Sequence, residues 1–383
     1  MKIAFVSNFI NHYQVTVSDA LYELCDGQYH FVETTEVPEE RRKGGFDIIE
    51  RPYVIRTWKG PEEESKAHRV CLEADVLICL SELCALPYRV ERLRQNRLTF
   101  EFAERWLKRG FINAFSKTSL VNHYYYHFHF RNKPFYKLCA GAYVANDEYL
   151  LHSFVGKCYK FGYFSKVPPL DLDKVLEAKD RSVVKILWCA RFIDWKRPDM
   201  VVNLARRLSE SGLNVQINMV GTGQLYEKII KSIAANHLDK VLHLVGGIPN
   251  DQVLDLMKSH HLFLLTSNKR EGWGVVVNEA MANGCCVVSS DAVGSIPYLI
   301  QDGVSGRLFQ SGNEDSLFRA VEELILDREL REQFTRRAYK TISEEWSPQC
   351  AATNFVRLCD DLMNNRECSI ESGPCSVALP YHR

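Results

Sequence analysis

The sequence predicts an α/β protein of two doubly wound units, each built on a parallel sheet. Three observations carry that expectation. Short apolar runs recur along the chain and end in polar or glycine-containing loops. From residue 184 onward they alternate strictly with helical stretches, which implies parallel strands joined by right-handed crossovers. A proline-broken, charged stretch at 168–181 separates the two halves. The 383 residues suffice for two domains of ordinary size.

In the first half, Lys2–Val6 reads as the opening strand, followed by the polar loop Ser7–Gln14 and a helix to about Cys25. Strand, loop and helix place Asn11 and His12 at the carboxyl edge of the sheet, where ligands bind in this architecture; capping of the helix by Asn11 is the alternative. A second strand is expected near Tyr29–Glu33. Charged segments from Glu36 to Lys43 and from Pro61 to Lys66 read as solvated loop or helix. Asp75–Ser81 and Arg97–Glu101 are further strands whose end residues, Ser81 and Glu101, are candidates for facing a ligand. Equally, Glu101 could join Glu104 and Arg105 in a surface ion-pair cluster. The run Ala140–Asp147 reads as the last full strand, and Lys160–Phe164 as one short extended piece.

Residues 87–137 carry eleven basic against three acidic side chains and enclose His123-Tyr124-Tyr125-Tyr126-His127-Phe128-His129-Phe130. A basic, aromatic surface suits an anionic interface such as lipid headgroups or a phosphorylated acceptor; a packed element with solvated flanking charges explains it equally. His127 and His129 would share a face if 121–130 were a strand, but a third ligand is missing, so no metal is expected.

In the second half, strands are expected at Val184–Cys189, Val215–Val220, Val241–Val245, Leu262–Leu265 and Cys286–Ser289. Helices are expected at Arg197–Ser211, Gln224–Asn236, Asp251–Lys258, Val275–Asn283 and Asp315–Leu326. The expected division is 1–167, a linker at 168–181, 182–346, a helix at 347–365 crossing back to the first domain, and a loose tail at 366–383. Composition bounds the partners. The 48 basic and 48 acidic residues cancel, so a global nucleic-acid or membrane electrostatic signature is absent. The thirteen cysteines are odd in number, several lie within apolar runs, and no leader is read before Met1, which points to reduced thiols in the cytoplasm.

The chemistry concentrates at strand ends of the second half. Arg191 and Lys196 flank the loop after the first strand, and Pro198 suits the first turn of the next helix. Gly221-Thr222-Gly223 does not continue into a dinucleotide fingerprint, because Tyr226 stands where its third glycine would be. Val245-Gly246-Gly247-Ile248 is another strand-end turn. Then comes Glu271-Gly272-Trp273-Gly274-Val275, leading into a helix that carries Glu279. A helix start favours an anion, and two carboxylates beside it suit hydroxyl groups. A phosphate joined to sugars is the ligand these residues suggest.

These motifs, in this order over about 180 residues, resemble the nucleotide-sugar domain of the family 4 retaining glycosyltransferases. That resemblance implies the GT-B fold, two facing Rossmann-like domains with a cleft between them. It implies that Arg191 and Lys196 hold the diphosphate, and that Glu271 binds hydroxyls of the donor sugar. It further implies backbone contacts from Gly272, Trp273, Gly274 and Val275, ribose binding by Glu279, and a base framed by Ile248, Gly246 and their neighbours, with Gly221 nearby. Members usually need no metal or other cofactor. The implied reaction moves a sugar from a nucleotide-diphosphate sugar, a UDP-sugar, to a hydroxyl of an acceptor. The basic, aromatic segment alone, not the resemblance, suggests a glycan or lipid-linked glycan of surface polysaccharide synthesis as that acceptor and a membrane contact through 87–137; the expected location is the cytoplasm, or the inner face of the membrane. The first half departs from the family: Asn8-Phe-Ile-Asn11-His12 replaces the usual glycine pair, and Thr99-Phe100-Glu101 stands where a histidine is common. The acceptor side is accordingly assigned to Asn11, His12, Ser81 and Glu101. A sugar-nucleotide epimerase on the same fold and a non-catalytic nucleotide-sugar-binding subunit are the competing readings.

Overall fold

The structure, a computed structural model, describes residues 1–39 and 48–381. The expected charged segment at 36–43 therefore lies partly outside the described residues. The chain forms two compact units, Met1–Lys166 with Trp346–Arg383, and Val167–Glu345.

The first unit is a parallel sheet of β1 (Ile3–Ser7), β2 (Tyr29–Glu33), β3 (Val54–Arg56), β4 (Val76–Leu80), β5 (Thr99–Ala103), β6 (Phe135–Ala140) and β7 (Cys158–Phe161) in the order β3-β2-β1-β4-β5-β6-β7. Every residue of β1 is buried. Helices on both faces of a parallel sheet leave its central strands no wet side, which is why they read as unbroken apolar runs. The C-terminal helix Pro348–Met363 packs on the helix Val15–Leu24 of this unit, and its Phe355 ring lies 5.2 Å from Phe100.

The second unit is a parallel sheet of β8 (Val184–Cys189), β9 (Val215–Val220), β10 (Leu242–Gly246), β11 (Leu262–Leu265), β12 (Cys286–Ser290) and β13 (Gly306–Phe309), ordered β10-β9-β8-β11-β12-β13. Trp188, Phe192, Met200, Ile217, Met219 and Leu264 belong to its core. Helix Pro198–Glu210 begins with proline at its first turn, as expected, but Arg197 before it adopts φ 53°. A left-handed backbone at a non-glycine residue is strained.

Several expectations are corrected. Ala140–Asp147 is not a strand: β6 ends at Ala140, Gly141 turns at φ 116°, and Tyr143–Leu150 is a helix. Its Asp147 accepts from the Leu107 N–H at 2.8 Å and pairs with Arg105, holding the helix against the β5 loop. Residues 121–130 are likewise helical, Lys117–Tyr125 followed by a wider turn over Tyr126–Phe130. His127 and His129 thus do not share a strand face, and the His127 Nε2 meets the Ser153 hydroxyl at 3.0 Å. The expected linker contains the helix Leu172–Ala178, capped by Asp171, whose Leu176 is buried. After it, buried Lys179 donates from Nζ to the carbonyls of His260, at 2.6 Å, and Gly284. The tail is not loose over its described part. It lies antiparallel against β7 through a Tyr159–Val377 bridge, with the Lys160 N–H donating to the Ser376 carbonyl at 2.8 Å.

Burial pushes the Lys179 ammonium below its ordinary pKa, so the two carbonyls rather than a counter-ion hold the charge. Lys179→Met would keep the bulk and leave both carbonyls short of a donor. The expected cost is about 2 kcal/mol, read as a lower urea midpoint at unchanged slope.

Candidate functional site

The second unit's site is built where β8 and β11, adjacent in the sheet, release their loops. Their register pairs Leu264 with Trp188. The buried Trp188 indole donates to the Thr266 hydroxyl at 2.9 Å, and that hydroxyl donates to the Lys196 carbonyl at 2.7 Å. The Asn268 N–H donates to the Trp195 carbonyl at 2.9 Å. These bonds stitch the two loops together, and the Lys196 ammonium consequently meets the Glu271 carboxylate in an ion pair. Both side chains are about 15% exposed, so the pair is sheltered yet open to a ligand. Trp195 lies under two guanidiniums, Arg270 at 4.4 Å and Arg191 at 5.7 Å from the ring centre. Arg191 itself is exposed and makes no ion pair with a described residue.

Glycines let the neighbouring strand ends close up. A Cβ on Gly221 would stand 2.1 Å from the Ala190 carbonyl oxygen, and one on Gly223 would stand 2.7 Å from that of Phe192. The Gly221 N–H donates to the Gly246 carbonyl at 2.8 Å, and Gly246 itself turns at φ 81°. Gly221 and Gly246 therefore shape the loops of β8, β9 and β10. Half-buried Ile248 follows, just before Asn250, whose amide reaches the Glu279 carboxylate at 3.4 Å.

The Glu271–Val275 loop is anchored by buried Gly272 and Trp273, with the Trp273 indole donating to Asn278 at 2.9 Å. Gly274 turns at φ 82°, where a Cβ would press on Val293 at 3.0 Å. The helix that follows spans Val276–Ala282. Its early Val277 and Asn278 N–H groups already donate to the Gly274 and Val275 carbonyls, so the helix start offers less to an anion than its sequence suggested. Glu279 is buried with no cation paired to it among the described residues, and desolvation pushes its carboxyl up to about 7, opposed by the Asn250 amide. Cys189 at the end of β8 lies within electrostatic range of both Glu279 and Lys196. Lys196, Glu271 and Glu279 are thus gathered at one edge of one sheet. Asn250, at the start of the helix Asn250–Ser259, and Thr266, just after β11, were not singled out as site residues from the sequence, being polar residues with no motif of their own.

Residues 173–341 match the family model of the glycosyl transferases group 1. An uncharacterized glycosyltransferase of Methanocaldococcus jannaschii is 22% identical over 229 residues, 57% of each chain. The amylovoran biosynthesis glycosyltransferase AmsK of Erwinia amylovora is 32% identical over 139 residues, 35% of this chain and 34% of its own. The chain thus spans from about a third to little more than half of these relatives' length. Among solved structures, Anabaena HepE in complex with UDP and glucose superposes with a TM-score of 0.66 at 15% identity, covering 93% of this chain and 98% of that one. At that identity the likeness shows the fold, the GT-B class that the sequence resemblance implied.

In the first unit, the four acceptor-side candidates do not form one open group. Asn11 accepts from the N–H groups of Tyr13 and Gln14 at 3.0 and 3.1 Å, which fixes the turn leading into the helix Val15–Leu24, whose cap is Gln14. The His12 ring lies against Tyr13, with ring centres 3.8 Å apart and planes tilted by 52°, and burial lowers its pKa. The Ser81 hydroxyl donates to Glu101 at 2.7 Å. Glu101 neither faces a ligand nor joins a surface cluster. It is buried between Arg89 and Lys137, whose charges hold its carboxyl down at about 2 against desolvation. Lys137 also pairs with buried Glu148 at 2.7 Å.

The Glu279 shift has a direct consequence for stability. Its carboxyl rises from 4.5 to about 7 on folding, so the folded protein holds the proton more tightly than the unfolded chain. Stability therefore falls as pH rises through that window, and above it the ionised group costs on the order of 3 kcal/mol. Glu279→Gln is expected to raise Tm at about pH 8 and to leave it unchanged near the unfolded carboxyl pKa. A pH-independent difference in Tm would contradict the assignment.

Proposed function

We propose that this chain is a retaining glycosyltransferase that moves a sugar from a UDP-sugar to a hydroxyl of a glycan or lipid-linked glycan. The observation that carries the reading is the Lys196–Glu271 pair beside buried Glu279 at one sheet edge. Lys196 and exposed Arg191 suit the diphosphate oxygens, and Glu271, once released by Lys196, suits hydroxyls of the donor sugar. Glu279 suits the two ribose hydroxyls. Hydrogen bonds from those hydroxyls favour the ionised carboxylate, so donor binding would release a proton from Glu279 near neutral pH. The complex of HepE with UDP and glucose and the part of AmsK in amylovoran biosynthesis support the donor and acceptor classes proposed.

In the reaction, the bond between the anomeric carbon and the diphosphate oxygen breaks as the acceptor oxygen bonds to that carbon on the same face. The acceptor proton passes to the departing phosphate oxygen, and no side chain forms a covalent intermediate. Lys196 and Arg191 stabilise charge as it develops on the diphosphate, a role that elsewhere falls to a metal. The thirteen free cysteines suit a reducing compartment such as the cytoplasm.

Acceptor-dependent UDP release, with NMR of the product's anomeric configuration, tests the reading against an epimerase and against a silent binding protein. Lys196→Ala is expected to lower kcat on the order of 10²–10³-fold with the Tm retained. Glu271→Ala should abolish the affinity advantage of UDP-sugar over UDP in calorimetry. Near-normal turnover in either variant would sink the assignment, as would inhibition by EDTA for the metal-free form of it.

A further inference from the structure

The first unit carries a surface that its own packing does not use. Helix Lys117–Tyr125 and the turn Tyr126–Phe130 bury Ser119, Asn122, Tyr126 and Phe130. Asn122 is held there by the Ser81 carbonyl, at 2.7 Å, and by Arg89. The outward face of such a segment is ordinarily polar. Here it presents Leu120, Tyr124 and Phe128, spaced four apart, exposed by 53%, 53% and 77%. The preceding turn Phe111–Phe115 adds Phe111, Ile112 and Phe115, exposed by 62%, 80% and 74%. Single exposed apolar residues mean little, but six large ones within 111–128 form a patch that calls for an occupant.

Charge identifies the occupant. The sequence holds no acidic residue from Arg105 to Asn146. Arg109, Lys117 and Arg131 are exposed among the apolar side chains and pair with no described carboxylate. A second copy of the same face would bring these cations against one another. An anionic surface neutralises them while taking up the aromatic rings. Tyrosine and phenylalanine beside arginine and lysine is the composition that partitions at the headgroup boundary of a bilayer. No helix among the described residues is long and apolar enough to cross a membrane, so the contact is interfacial. We propose that the face formed by Phe111, Ile112, Phe115, Leu120, Tyr124 and Phe128 docks on an anionic phospholipid surface, with Arg109, Lys117 and Arg131 at the headgroups. The surface stands on the first unit alone and does not depend on the donor-site reading.

Vesicle flotation of the full chain tests it, using phosphatidylcholine alone and phosphatidylcholine with about a third phosphatidylglycerol. The wild-type chain is expected to bind the anionic vesicles about ten-fold more than the neutral ones, and less so in high salt. The Ile112→Ser/Phe128→Ser pair should lower that binding about ten-fold at unchanged Tm and unchanged UDP affinity. Arg109→Glu/Lys117→Glu should remove the preference for anionic vesicles. Three results would each overturn the proposal. They are equal binding of wild type to both vesicles, full binding by the serine pair, and a dimer in buffer that the serine pair dissociates, which would assign the face to a second copy.

Discussion

The parallel pairing of β8 with β11 is the constraint on which the rest of the site depends. It sets Trp188 beside Leu264, so that the indole reaches Thr266 and the Thr266 hydroxyl reaches the Lys196 carbonyl. Only then do an ammonium and a carboxylate 75 residues apart meet. Each bond in this chain is ordinary, of the order of 1 kcal/mol. Their joint effect is to fix two flexible charged side chains on loops by anchoring the backbone beneath them. The left-handed Arg197 directly after Lys196 shows the turn that this anchoring imposes.

Two buried carboxylates, Glu101 and Glu279, behave differently, and the difference is one of company. Glu101 shares its site with Arg89 and Lys137 and stays ionised down to about 2. Glu279 has an amide for company and rises to about 7. Desolvation acts on both, and at Glu101 two cations within bonding distance outweigh it; buried Glu148, which shares Lys137 with Glu101, still rises to about 7. Glu101, fully matched by protein charge, has nothing left to offer a ligand. Glu279, unmatched, has an acceptor in reserve for a hydroxyl donor.

Much of the second unit was legible because its strands are buried on both faces and read as uniform apolar runs between charged or glycine loops. The errors fall where that signal is ambiguous. Ala140 to Ala145 is apolar throughout, and apolarity alone does not separate a buried strand from the buried start of a helix; Gly141 makes the turn between them. β3 and β13 are edge strands of three and four residues, too short for a pattern. The tail has no periodicity, since a single extended segment against β7 needs only backbone bonds.

By itself the sequence determined the class of fold and the chemical types at the strand ends of the second unit. Both are local matters: apolar runs, helix signals, and charged residues beside glycines. Tertiary structure alone decided which charges meet and which remain available. It paired Lys196 with Glu271, left Glu279 with no cation paired to it among the described residues, and withdrew Glu101 into a buried network. It also turned Leu120, Tyr124 and Phe128 outward where the aromatic sequence could equally have been core. Such outcomes depend on distances between residues far apart in the chain and on the dielectric around them, and neither is written in any one stretch of residues.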